Sequence, residues 1–119
     1  MSSEHIKVLS ESVSLLKISG YLDSDTVEQL EESFHNEIVS GARFFVVDVS
    51  SLDYISSAGL GLILGLLSEA KEKGGELVIV GMTSKIARKF DLLGFSRLLS
   101  MLPDVQQGID KLSQKIQTV

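Results

Sequence analysis

The sequence predicts an α/β domain with a mixed, mostly parallel β-sheet and about four α-helices, in the order ββαβαβαβα. Three observations carry this. Short runs rich in Val, Ile and Leu alternate with longer stretches whose apolar residues recur at helical spacing, the pattern of right-handed strand–helix–strand crossovers. Two of those runs, "RFFVVDV" and "ELVIVG", are almost continuously apolar, as strands covered on both faces are. The first two runs are separated only by "SES", which makes them a hairpin and the sheet mixed.

The elements follow in order. "HIKVL" and "VSLLKIS" form the hairpin, and Gly20 closes its second strand. In "LDSDTVEQLEESFHNEIVSG", Asp25 with Glu28 predicts a capping-box start, Val27, Leu30, Phe34 and Ile38 share one helical face, and Gly41 is the stop. "RFFVVDV" is a buried strand ending near Val49, and "SSLDYIS" is a polar loop. A glycine-bearing helix then runs to about Lys73, closed by Gly74 and Gly75. After the strand "ELVIVG", Thr83 or Ser84 opens a third helix with Ile86, Ala87, Phe90 and Leu93 on one face and Gly94 beyond its end. "RLLSML" gives a last short strand. Pro103 and Asp104 start a final helix carrying Val105, Ile109, Leu112 and Ile116. No linker, repeat or low-complexity tract interrupts this order, so residues 1–119 read as one domain.

Composition narrows the function classes. Apolar residues make up 44% and charged residues 23%, the balance of a soluble globular protein with a sizeable core. The chain has no cysteine, which excludes a disulfide framework, a thiolate metal site and a cysteine nucleophile, and fits a cytoplasmic setting. A net charge of -5 argues against a direct nucleic-acid partner, because phosphate contacts dominate that affinity. "MSSEHIKVLSES" lacks the charged-then-apolar form of a signal peptide, and the longest near-apolar run, Ala58 to Leu67, is too short for membrane insertion.

The informative stretch is "YISSAGLGLILG", residues 54–65. Gly59, Gly61 and Gly65 sit inside a helix, where each costs about 0.8–1 kcal/mol relative to alanine. A dinucleotide fingerprint is excluded: the glycines come ten residues after the strand, the next strand ends in Gly81 rather than an acid, and no G-x-x-x-x-G-K occurs. Two readings stand side by side. The glycines allow close packing of helix on sheet, or they leave a shallow surface that another backbone can approach. Spacing puts Leu60, Ile63, Leu64 and Leu67 on the core face, and Leu62 and Leu66 on a flank beside Ala58, Gly61 and Gly65. That flank is the expected docking surface.

The serine pair opens this helix. A serine so placed is an N-cap, but one cap needs one serine. A helix N-terminus also favours anions, so a phosphate on Ser57 would be held there, adding about -1.5 to -2 charges at the edge of the flank. A nucleophile elbow is excluded, since Ile55 stands where G-x-S-x-G needs its first glycine, and neither histidine, His5 or His35, is near in sequence. Asp23, Asp48 and Asp53 lie at or after strand ends, where they serve either as magnesium ligands or as loop hydrogen-bond acceptors. Lys85, Arg88 and Lys89 form a small basic face on the third helix, either solvated or facing an acidic partner.

The segment "VVDVSSLDYISSAGLGLILGL" resembles the STAS-domain anti-sigma-factor antagonists of bacteria, and the resemblance runs over nearly the whole chain. "GYLDSDT" is similar to the family's G-x-L-D element before the first helix. "KEKGGELVIVGMTSKIARKFDLLGF" is similar to its glycine pair, strand, helix and glycine–phenylalanine sequence. The resemblance implies the STAS fold, no enzyme activity, no cofactor and no metal. It implies that the unphosphorylated antagonist binds an anti-sigma factor that is also its serine kinase, and so frees a sigma factor. Phosphorylation of one serine breaks that complex, and a serine phosphatase restores it. The family motif is commonly D-S-S/T-G-L; laid on "ISSAGL", the modified residue is Ser57, followed by Ala58 and Gly59, with Ser56 in place of the acid. The partner-binding surface is then Ser56, Ala58, Gly59, Gly61, Leu62, Gly65 and Leu66. The alternative is a STAS module outside transcription, such as a stress-complex scaffold or a cytosolic transporter-associated subunit.

Overall fold

The computed structural model describes residues 2–117. The chain begins with β1 (Ser2–Val8) and β2 (Glu11–Leu22), paired antiparallel from Ser2↔Lys17 to Val8↔Glu11. Leu9 and Ser10 join them, both at positive φ (50° and 71°). Two successive positive-φ residues match the right-handed twist of a tight hairpin. The turn is therefore Leu9–Ser10 rather than "SES", and Glu11 and Ser12 lie within β2.

Three parallel strands extend the sheet: β3 (Phe44–Ile55), β4 (Glu76–Val80) and β5 (Ser100–Leu102), in the spatial order β1-β2-β3-β4-β5. Four helices connect or follow them: α1 (Val27–Val39), α2 (Ser57–Glu72), α3 (Ser84–Leu92) and α4 (Val105–Gln117). This is the predicted order ββαβαβαβα and the predicted mixed sheet.

Strand alternation sorts the core into two layers. Phe45, Val47 and Val49 join Leu77 and Ile79 under α1, α2 and α3. Phe44 and Val46 face the other way, joining Val78, Val80 and Leu112 under α4. Gly108 lets α4 lie close on that second face, since a Cβ there would come within 2.8 Å of Val80 Cγ1.

Several sequence expectations are corrected. The capping box at Asp25 and Glu28 is not made. Thr26 is the N-cap position and its side chain does not cap the helix; its hydroxyl donates instead to Tyr21 O at 2.7 Å, while Asp23 Oδ1 accepts from Asp25 N at 3.0 Å. The third helix is capped by Thr83 and the fourth by Asp104, as expected. Leu93 is 46% exposed rather than core, because α3 ends at Leu92 and the chain turns at Gly94 (φ 75°).

The most consequential correction concerns "SSLDYIS". It is not a loop: β3 continues through it to Ile55, paired with β2 alone from Ser19↔Ser51 to Leu22↔Ile55. β4 leaves the ladder earlier, at Asp48↔Val80. Register shifts between Lys17 and Ser19 and between Gly20 and Tyr21 break the two-residue period. The inward residues are therefore Leu52 and Ile55, three apart, with polar residues between them. A strand with that spacing carries no alternation signal. It also brings α2 close behind β3, so Gly59 is four residues past the strand and not ten.

Candidate functional site

The site is the junction of β3 and α2. Ile55 is buried and ends the strand. Ser56 follows in extended conformation (φ -90°, ψ 172°), with its N–H donating to Leu22 O at 2.9 Å. Its Oγ accepts from Gly59 N at 3.1 Å, so Ser56 is the N-cap of α2. Ser57 is the first helical residue and is exposed. The serine pair thus divides its labour: the first holds the helix start, and the second presents its hydroxyl to solvent. Of the pair, Ser56 is the one serine that the cap needs.

The three glycines also separate. Gly59 is buried, and a Cβ there would come within 2.7 Å of Leu22 O and 3.0 Å of Ile55 Cγ1. It exists for close packing. Gly61 and Gly65 are exposed, and a Cβ at either would meet nothing within 4 Å. Packing therefore explains one glycine of three. With Ser57, Ala58 and Ser68, Gly61 and Gly65 form a smooth outer face on α2.

The flank of that face differs from expectation. Leu66 is 2% exposed and belongs to the core, whereas Leu64, assigned to the core face by spacing, is half-buried. Leu62 is half-buried, as a flank residue should be. The apolar rim is thus Leu62 and Leu64. The helix lies over the sheet rotated toward Leu66, so a stripe assigned from spacing alone is about one position off. Beside it a groove of about 300 Å³ is lined by Leu64, Leu67, Ser68, Lys71 and Leu98.

Three residues that sequence reasoning did not place complete the site. Tyr21 and Tyr54 sit opposite each other on β2 and β3, with ring centroids 5.7 Å apart, and are 61% and 39% exposed. Lys89 of α3 reaches across, its Nζ donating to Ile55 O at 2.8 Å and lying 4.2 Å from the centre of the Tyr54 ring. The tyrosines were visible as neighbours of the G-x-L-D and serine motifs. Their pairing required β3 to continue past Val49. Lys89 was visible only as part of a basic face; its neighbours Lys85 and Arg88 stay exposed.

The other candidates lie elsewhere. His5 pairs with Glu37 at 2.8 Å, and His35 pairs with Glu69 at 3.2 Å. Glu69 is twelve residues along α2 from Ser57, about 18 Å down the helix axis, so His35 is no base for that hydroxyl. Asp48 accepts from Ser50 N and Asp23 from Asp25 N, the loop-acceptor reading. Asp53 is exposed. Among the described residues no three acidic or histidine side chains converge as a metal-ligand set, and no helix is long and apolar enough to cross a membrane.

The arrangement is a fixed helix N-terminus with an accessible hydroxyl at its first position, a flat outer face, and two exposed aromatic rings alongside. Chemically, such an arrangement is able to receive a partner on its flat face and offers a hydroxyl open to modification. Comparison with known proteins bears on the fold and the lineage. The STAS domain family model matches residues 6–108. The anti-sigma-B factor antagonist of Staphylococcus aureus (strain NCTC 8325 / PS 47) is 34% identical over 84 residues, covering 71% of this chain and 78% of that protein. Among solved structures, the anti-sigma factor antagonist SpoIIAA in its unphosphorylated form superposes with a TM-score of 0.75 at 19% identity, over 99% of this chain and 98% of that one. The Bacillus cell fate determinant SpoIIAA in the phosphorylated form gives 0.68 at 21% identity, over 92% and 98%. At those identities the two structures speak for the fold, and the family model and the staphylococcal relative speak for the lineage. With that family model matched over residues 6–108 and that relative covered over 78% of its length, this chain belongs to the STAS-domain anti-sigma-factor antagonist family.

Proposed function

We propose that this protein is an anti-sigma-factor antagonist switched by phosphorylation of Ser57. Unmodified, it binds an anti-sigma factor that is also a serine kinase, and so releases a sigma factor. Phosphate on Ser57 ends the complex, and a serine phosphatase renews it. The protein works by binding and catalyses nothing itself, in the cytoplasm where those partners act.

The observation that carries this reading is the division between the two serines. Ser56 makes the cap, so the Ser57 hydroxyl is spare for chemistry and exposed to a kinase. A phosphate there sits at the first turn, whose N–H groups lack intrahelical partners and favour negative charge. The modification therefore leaves the fold intact and acts on the surface. It adds about -1.5 to -2 charges beside Ala58, Gly61 and Gly65, which a docked partner would have to desolvate. The smooth face supports the same reading: exposed glycines in a helix lower stability without any packing return, unless a partner backbone lies against them.

The test is a pull-down from source cells with wild type, Ser57→Ala and Ser57→Asp, followed by phosphosite mapping of the wild-type chain incubated with the recovered kinase and ATP. The expected outcome is one kinase retained by wild type and Ser57→Ala, lost or weakened with Ser57→Asp, and phosphate on Ser57 only. Phosphate mapped to Ser50, Ser51 or Ser56, or equal retention by all three forms, rejects the switch.

A further inference from the structure

The end of β3 poses a hydrogen-bonding problem. In a trans peptide the C=O and the next N–H point in opposite directions. Ser56 N–H turns toward β2, where it meets Leu22 O at 2.9 Å. The Ile55 carbonyl therefore points away from β2, toward the side on which β4 would continue. But β4 has already left the ladder at Asp48↔Val80, and the chain turns off at Gly81 (φ 73°). This carbonyl has lost its strand partner one residue before the helix cap. Lys89 supplies the missing donor from α3, at 2.8 Å, and its ammonium is steadied 4.2 Å from the centre of the Tyr54 ring. A charged donor makes a stronger bond than the amide it replaces, and the ring adds a cation–π contact.

We propose that Lys89 is the positioning residue for the phosphoacceptor. It fixes the β3–α2 junction from the side the sheet leaves open, and so sets where the Ser57 hydroxyl stands relative to the kinase. Lys89 does not touch the transferred phosphoryl group; it acts through Ile55 and Ser56. Of the three basic residues on α3, this one is half-buried and holds backbone, while Lys85 and Arg88 stay exposed. The proposal rests on Ser57 being the phosphorylated residue.

The experiment compares wild type, Lys89→Met and Lys89→Arg. Methionine keeps the aliphatic stem and removes the donor. Arginine keeps a cationic donor that also stacks on an aromatic face. Circular dichroism first confirms that each is folded. Phosphorylation of Ser57 by the recovered serine kinase is then measured at varied protein concentration. A displaced nucleophile loses rate rather than binding, so Lys89→Met should lower kcat about ten-fold or more with KM within about two-fold, and Lys89→Arg should restore most of it. Amide hydrogen exchange on the isolated domain is the second readout: Ser56 and Gly59, whose N–H groups donate to Leu22 O and Ser56 Oγ, should exchange faster in Lys89→Met and normally in Lys89→Arg. Unchanged kcat in Lys89→Met overturns the proposal, as does a loss confined to KM, which would make Lys89 a kinase contact. Equal loss in Lys89→Met and Lys89→Arg overturns it too. If wild type takes no phosphate on Ser57, the functional reading falls, and so does the positioning role that rests on it. Amide exchange then shows only whether the Lys89 clamp itself exists.

Discussion

Ser56 and Ser57 are adjacent and chemically identical, yet the structure gives them opposite energetic roles. Replacing Ser56 by Ala removes the Oγ that accepts from Gly59 N at 3.1 Å and leaves that first-turn N–H without its cap. Such losses cost about 0.5–2 kcal/mol. Replacing Ser57 by Ala removes an exposed hydroxyl that holds no cap, so the change should stay within about 0.5 kcal/mol. Unfolding entropy near 2.1 cal/mol/K per residue over 119 residues gives roughly 0.25 kcal/mol/K, so 1 kcal/mol corresponds to about 4 °C. Ser56→Ala should then lower Tm by about 2–8 °C and Ser57→Ala by less than about 2 °C, read by differential scanning calorimetry. The functional ranking should invert: Ser56→Ala still accepts phosphate, and Ser57→Ala does not. A Tm loss for Ser57→Ala equal to that of Ser56→Ala would refute the division of roles. It would place the cap on Ser57 and remove the main support for its being a spare hydroxyl.

The glycines should separate in the same way under urea denaturation. Gly59→Ala drives a Cβ toward Leu22 O and should cost about 1–3 kcal/mol, whereas Gly61→Ala should gain up to about 1 kcal/mol while weakening partner binding. Leu66→Lys places a charge at a 2%-exposed core position and should cost more than a large-to-small substitution there, about 2–5 kcal/mol, visible as a Tm fall beyond about 10 °C or as an unfolded chain. Leu62→Lys, on the half-buried rim, should leave the far-UV spectrum and Tm nearly unchanged and reduce partner retention in titration calorimetry. Ser57→Asp should keep or slightly raise Tm, since an acid in the first turn suits the helix dipole, while weakening the complex; wild-type affinity for that variant would mean the partner does not lie over the helix start.

Element order was legible because it depends on local periodicity. Leu30 and Phe34, or Ile86 and Phe90, lie on one helical face whatever surrounds them, and unbroken runs such as Phe44–Val47 need cover on both faces. Short-range chemistry was equally legible where the donor sits three residues on, as at Thr83 and Asp104. The serine motif and the family it belongs to were also carried by the linear sequence. What the sequence did not decide were the contacts set by pairing between distant segments. The polar stretch after Val49 is a strand only because β2 extends beside it with shifted register. That pairing brings Tyr21 to Tyr54 and leaves the Ile55 carbonyl open for Lys89, 34 residues away. The same holds for the roll of α2. Helical spacing gives one apolar stripe, but Leu64 and Leu66 lie on either side of it, and only the sheet underneath determines which is buried. Ser56 and Ser57 differ for a related reason. Either could cap by composition, and the choice was made by Leu22 O, which fixes the Ser56 peptide and so sets the residue at which the helix begins.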